Sequence, residues 1–167
     1  MLGLKKKEEI MSKKIVIGCD NAAVELKKDL IKVIVEEGYS YEDVGVDNAS
    51  DKTVYPDIAA MVCEKIIESN YEKEGVIVCG TGIGMAMTAN KFEGIFAAVC
   101  HDNFSAERLR LSNNGNVICF GARVIGPELA KKILREFLNL KYVPGGSSQP
   151  KVDRMRAIDR EQHNLVS

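Results

Sequence analysis

Residues 79 to 84 read Cys-Gly-Thr-Gly-Ile-Gly and follow an apolar run, Val76-Ile77-Val78, with the pattern of a buried strand. A thiol therefore falls where a strand ends, with alternating glycines behind it and a helix-like segment, Met85 to Lys91, beyond. Small residues at such a junction let successive backbone N–H groups converge on an anion, and a helix N-terminus adds partial positive charge. The same field favours a thiolate on Cys79. A base beside an oxyanion-binding loop is the chemistry this stretch could perform; a tight strand-to-helix turn over a buried thiol is the plainer alternative. Gly80, Gly82 and Gly84 give GxGxG, with Met85 where a dinucleotide fingerprint needs its last glycine. No Walker lysine follows.

Other polar residues fall at comparable junctions. Asp20-Asn21 ends the first apolar run, where it could bind sugar hydroxyls or cap the helix ahead of Ala22. His101-Asp102 could act as an acid/base pair, or Asp102 could cap a helix starting near Asn103. Arg123 follows the last strand-like run and could hold a phosphate through its planar fork or make a surface salt bridge. Lys151, Arg154, Arg156 and Arg160 make the C-terminal segment locally basic, either as a solvated helix face or as a strap over an anion.

The elements that must position these groups alternate. Lys14 to Cys19 precedes a helix near 22–37, and Tyr41 to Val46 reads as a short second strand. A helix opens at Tyr55-Pro56-Asp57 and runs to about Ser69. Gly75 to Cys79 and Ile95 to Cys100 are the third and fourth strands, and a helix from Asn103 to Leu111 leads to the fifth, Asn116 to Phe120. Pro127 suits the first turn of a helix over 126–140. The runs IVIGC, VIVCG, FAAVC and VICFG lack alternation, as strands buried on both faces do. The expected fold is α/β: a Rossmann-like, doubly wound, five-stranded parallel sheet with helices on both faces and a C-terminal helical tail. Ligands in such sheets bind beyond the carboxyl ends of the strands, where Asp20, Cys79, His101 and Arg123 would meet.

The 167 residues fit one domain. Residues 1–12 form a charged extension, expected to fray, with no apolar core of a secretory signal. Residues 13–142 form the domain, and residues 143–167 form a linker and helix expected to pack on a partner subunit. A net charge of −1 gives no footprint for nucleic acid. No stretch is long and apolar enough to span a membrane. Five cysteines without a CxxC pair, and two histidines without ligand spacing, point to a reduced, cytoplasmic protein with no metal site.

Taken together, IVIGCDNA (15–22), YPD (55–57), VIVCGTGIGMAMTANKFEGI (76–95) and SAERLRLSNNGNVICFGARVIGPELA (105–130) resemble the ribose-5-phosphate isomerase B / galactose-6-phosphate isomerase family. The resemblance implies dimers or tetramers with sites shared between subunits, interconverting aldose and ketose phosphates without metal or cofactor. By resemblance Cys79 is the base that moves a proton between C1 and C2 through a cis-enediolate. Thr81 and the amides of Gly80, Gly82 and Gly84 hold the oxyanion. Asp20, Tyr55 and Asn113 line the sugar, and Arg123 reaches a phosphate across the subunit interface.

The chain departs from the family pattern at one end of this site. Asp20-Asn21 replaces Asp-His, and Ser112 stands where the family has the histidine expected to open the sugar ring. Ser147 and Lys151 replace two phosphate arginines. The expected function is an aldose–ketose isomerase with altered specificity. It would act on a small sugar phosphate such as a four-carbon one that needs no ring opening, on a sugar whose distal end is not phosphorylated or whose phosphate meets Lys151, Arg154 or Arg156, or on ribose 5-phosphate with His101 or solvent assisting. A non-catalytic sugar-phosphate-binding subunit is the alternative, and a nucleotide- or flavin-binding domain is disfavoured by the glycine spacing.

Overall fold

A computed structural model describes residues 14–165. Five parallel strands, β1 (Lys14–Cys19), β2 (Ser40–Asp43), β3 (Glu74–Cys79), β4 (Ala97–Val99) and β5 (Val117–Gly121), lie in the order β2-β1-β3-β5-β4. Between them run α1 (Val24–Glu36), α2 (Tyr55–Glu68), α3 (Ile83–Ala89) and α4 (Asn103–Leu111), followed by α5 (Pro127–Asn139) and α6 (Gln149–Asn164). The sheet is the doubly wound α/β architecture expected from the alternating runs. Right-handed crossovers explain its two layers. The steps β1 to β2 and β4 to β5 run in one direction, and those from β2 to β3 and β3 to β4 run in the other. α1 and α4 accordingly pack with α5, while α2 packs with α3.

Because β2 and β3 flank β1 on opposite sides, chain direction switches between β1 and β3, and a crevice opens there at the carboxyl edge. Register fixes what faces that crevice. Cys19 pairs with Val78, so Asp20 follows beside Cys79, with its N–H on the Val78 carbonyl at 3.2 Å. Cys79 in turn pairs with Gly121. The central strands β1, β3 and β5 are buried almost throughout, which is why their sequences read as unbroken apolar runs.

Three elements differ from the sequence expectation. β2 stops at Asp43 rather than Val46, because Asp43 Oδ1 accepts the Gly45 N–H and turns the chain. β4 begins at Ala97 because the Phe96 N–H goes to Asn116 Oδ1 and the Ile95 N–H to the Phe92 carbonyl. α3 starts at Ile83, two residues early, because Gly82 at φ +79° turns the chain directly into the helix. The expected extension 1–12 lies outside the described residues.

The C-terminal helix α6 touches its own domain. Val152 is buried, Asp159 Oδ2 accepts the Gly94 N–H at 2.7 Å, and His163 Nε2 lies 3.1 Å from the Lys91 carbonyl.

The connection from β2 to α2 is secured by a buried cation. Lys27, 1% exposed, places its Nζ 2.9 Å from the Val46 carbonyl, 2.7 Å from Asp43 and 3.1 Å from Asp47. Burial would lower the pKa of this ammonium, yet the hydrogen bonds to Asp43 and Asp47 hold it above the ordinary lysine value. Lys27→Met removes all three contacts and leaves the Val46 carbonyl only the weak Cys19 thiol donor at 3.6 Å. It should cost about 1–3 kcal/mol, measured by urea unfolding, with faster amide exchange over residues 43–52.

Candidate active site

Cys79 closes β3 with its side chain almost wholly buried, and the loop behind it folds back on the thiol. The Gly82 N–H points at Cys79 Sγ from 3.1 Å. An amide donor aimed at sulfur is the contact a thiolate accepts best. The other four thiols lie within the core. Burial pushes Cys19, Cys63 and Cys100 up to about 12, and Cys119 well above its ordinary value, so they remain protonated core residues. All five cysteines are free.

The loop is shaped by close approach as much as by hydrogen bonds. A methyl group at Gly121 would lie 2.6 Å from the Thr81 carbonyl, so β5 can support the loop only through a glycine. At Gly84 the same addition would meet the Tyr55 ring at 2.5 Å; Tyr55, at the start of α2, thus packs on the loop. Thr81 Oγ1 accepts the Ile83 N–H at 3.3 Å. The Gly82 amide is therefore committed to sulfur, whereas those of Gly80 and Thr81 donate to no group among the described residues. The Gly84 amide likewise donates to no group among the described residues, so three loop amides are without acceptors while that of Gly82 is taken.

Asp20 turns its carboxylate on its own loop, accepting the Ala22 N–H at 3.0 Å. Neither it nor Asn21 caps α1, whose N-cap is Ala23 with no side-chain bond. Asn21 Nδ2 instead reaches the Asp51 carbonyl at 2.9 Å. Asp20, Asn21, Lys52, Thr53 and Tyr55 line an open cavity of about 490 Å³, a volume suited to a small polar ligand.

Arg123 folds over the loop of its own chain. Its guanidinium lies about 3.5 Å from where a Gly80 side chain would begin, and the Arg123 backbone N–H donates to the Gly80 carbonyl at 3.0 Å. His101 closes the far side, its Nε2 accepting the Gly121 N–H at 2.9 Å. Asp102 caps α4 through the Ser105 amide at 2.7 Å, the alternative noted from sequence. The Ser105 hydroxyl and amide hold the Asp102 carboxyl below its ordinary value.

Three of the expected residues are not brought to this edge. Ser112 and Asn113 follow the C-terminus of α4, which runs back toward the amino ends of the strands. Ser112 Oγ accepts from Arg108 Nη1 at 3.0 Å. Lys151, in the first turn of α6, borders a separate cavity with Arg154, Met155 and Ile158. Sequence reasoning missed Lys52 and the role of Gly121. The polar run 47–53 beside the crevice was the available signal for Lys52. Among the described residues no cluster of three metal-ligating side chains occurs, and no helix is long and apolar enough to cross a membrane.

A buried thiol, amides without acceptors and a small open cavity lie together at the switch point of a parallel sheet, where ligands of such sheets bind. Comparison with known proteins gives the family. Residues 15–155 match the Ribose/Galactose Isomerase family model. Ribose-5-P isomerase B of Listeria innocua is 45% identical over 148 residues, covering 89% of this chain and 98% of that one. D-erythrulose-4-phosphate isomerase of Pectobacterium atrosepticum is 42% identical over 148 residues, covering 89% and 96%. Among solved structures, ribose-5-phosphate isomerase B of Mycoplasma genitalium with bound ribulose-5-phosphate superposes with a TM-score of 0.84 at 30% identity, covering 90% and 99%. The chain belongs to the ribose/galactose isomerase family and is a sugar-phosphate aldose–ketose isomerase.

Two measurements check the geometry. Gly121→Ala should destabilise the fold by about 1–3 kcal/mol through overpacking against Thr81 and depress turnover, whereas Gly126→Ala, with open space around it, should do neither. Burial lowers the His101 pKa below the ordinary histidine value. The unfolded chain therefore binds the proton first, and stability present at neutral pH is lost as pH falls through the ordinary histidine range toward the folded pKa. His101→Gln, which keeps an acceptor for the Gly121 amide, should flatten that part of the stability–pH curve relative to wild type.

Proposed function

We propose that this protein interconverts D-erythrulose 4-phosphate and its aldose, D-erythrose 4-phosphate. Cys79 removes the proton from one of C1 and C2 and returns it to the other through a cis-enediolate. The Thr81 hydroxyl and the amides of Gly80 and Thr81 hold the charge that develops on oxygen, while Asp20 and Tyr55 line the sugar. No redox partner is required, because the oxidation of one carbon balances the reduction of its neighbour.

The observation that carries the four-carbon reading is that neither candidate for ring opening presents a free imidazole. Ser112 stands where the family histidine would be, and its hydroxyl is held by Arg108. His101 Nε2 is occupied by the Gly121 N–H. A four-carbon sugar phosphorylated on O4 has no hydroxyl placed to close a five-membered ring, so it reaches the enzyme as the open carbonyl. The Pectobacterium atrosepticum relative is named for this substrate class, which supports the choice.

The site is completed by a second copy of the chain. Ser112, Asn113 and Lys151 lie away from the Cys79 loop within one protomer, so a homodimer or homotetramer in which a partner supplies them is the arrangement proposed. Free, buried thiols support a cytoplasmic setting.

Turnover on four- and five-carbon sugar phosphates tests the reading. kcat/KM should be highest for the four-carbon pair, and Cys79→Ala should lower kcat by about a hundredfold to ten-thousandfold, the usual contribution of a general base. A higher kcat/KM for ribose 5-phosphate would refute the substrate. Full activity in Cys79→Ala would refute the mechanism. Binding of sugar phosphates without turnover would favour a non-catalytic subunit.

A further inference from the structure

We propose that Lys52 holds the distal phosphate of the substrate, on a loop that Asn21 positions over the site. The inference rests on the sugar-phosphate isomerase reading and assigns a cation beside Asn21, one of the positions where the sequence departs from the family pattern.

Four observations lead to it. Lys52 lines the cavity of about 490 Å³ shared by Asp20, Asn21, Thr53 and Tyr55, and it is the only cationic residue among those lining it. Tyr55 packs on Gly84, so this cavity adjoins the Cys79 loop. The segment bearing Lys52 is held from both sides: Lys27 grips Asp43, Val46 and Asp47, and Asn21 Nδ2 donates to the Asp51 carbonyl. Asp51, the adjacent carboxylate, accepts the Thr53 N–H at 2.8 Å. Among the described residues Lys52 pairs with no carboxylate, whereas Lys27, Lys28, Lys32, Lys65 and Lys73 each do.

Within one protomer no other cation lines this cavity. Arg123 lies against Gly80, at the end where the carbonyl reacts. Arg154 pairs with Glu161, and Lys151 borders a separate cavity on α6. Asn21 is uncharged and cannot neutralise phosphate, but its amide fastens the loop that brings a lysine to the mouth. The Asp20-Asn21 departure thus has a structural use: a short side chain at this position becomes the anchor, and the charge comes from the anchored loop. An ammonium on a flexible stem meets a phosphate as a point charge, without the planar fork of arginine.

Kinetics with D-erythrulose 4-phosphate, and inhibition by inorganic phosphate, test the assignment. Lys52→Ala should raise KM and the phosphate inhibition constant together by about tenfold to a hundredfold, the loss of one charge-assisted contact. Lys52→Arg should recover most of the loss, and Lys52→Glu should be worse than Lys52→Ala. Lys132→Ala, an exposed lysine on α5, serves as the control and should move neither constant. Unchanged KM and phosphate inhibition in Lys52→Ala, with Cys79→Ala still inactive, would overturn the assignment and leave the isomerase reading standing. Should wild type turn over no sugar phosphate, the isomerase reading fails instead. Phosphorus-31 line broadening of inorganic phosphate, compared between wild type and Lys52→Ala, then decides the assignment alone: equal broadening overturns it, and loss in the variant supports it.

Discussion

The parallel register across β1, β3 and β5 is the constraint on which the site depends. It sets Asp20 beside Cys79 and Cys79 beside Gly121 at one edge of the sheet, before any side chain is considered. Strand order then matters: with β2 and β3 on opposite sides of β1, the helices leave that edge in opposite directions and the crevice stays open. A one-residue slip of β3 would turn Cys79 to the other face of the sheet and take its thiol away from the loop. The buried apolar residues of these strands hold the register, so the hydrophobic core and the chemistry share one determinant.

Around this frame the protein uses hydrogen bonds sparingly and close packing heavily. Gly82 turns the chain at positive φ and spends its amide on the thiol. Gly121 and Gly84 allow β5 backbone and the Tyr55 ring to touch the loop from two sides. The result is a closely packed thiol in a loop whose Gly80, Thr81 and Gly84 amides have no acceptor among the described residues. Preorganised donors of this kind need no rearrangement when negative charge develops, which is where most of their catalytic value lies.

Much of this was legible in the sequence, and the physical reasons differ by element. Unbroken apolar runs ending in Asp20 and Cys79 marked buried strands and the edge where a ligand would sit. The alternating glycines marked the loop. The Asp20 and Asn21 side chains were harder, because capping, turn formation and ligand binding call for the same residue types. Their actual partners, Ala22 and Asp51, depend on where a distant loop lands. His101 read either as half of an acid/base pair or as a partly exposed loop residue beside a capping Asp102, and nothing in its own segment reveals the Gly121 amide twenty residues on. Lys52 looked like any lysine in a polar loop until its cavity was known. Only topology shows that Ser112, Asn113 and Lys151 cannot join Cys79 within one chain, since helices returning from the carboxyl edge carry them away.

The central claim is that Cys79 transfers a proton between C1 and C2 of an open four-carbon sugar phosphate. Proton NMR of D-erythrose 4-phosphate isomerised in deuterium oxide tests it most directly. Proton transfer through an exchanging thiol should place deuterium at C1 of the D-erythrulose 4-phosphate formed by wild type, and Cys79→Ala should give neither product nor label. Product formed by wild type with the C2 hydrogen delivered wholly to C1 and no deuterium incorporated would contradict the account, as would equal labelling by Cys79→Ala.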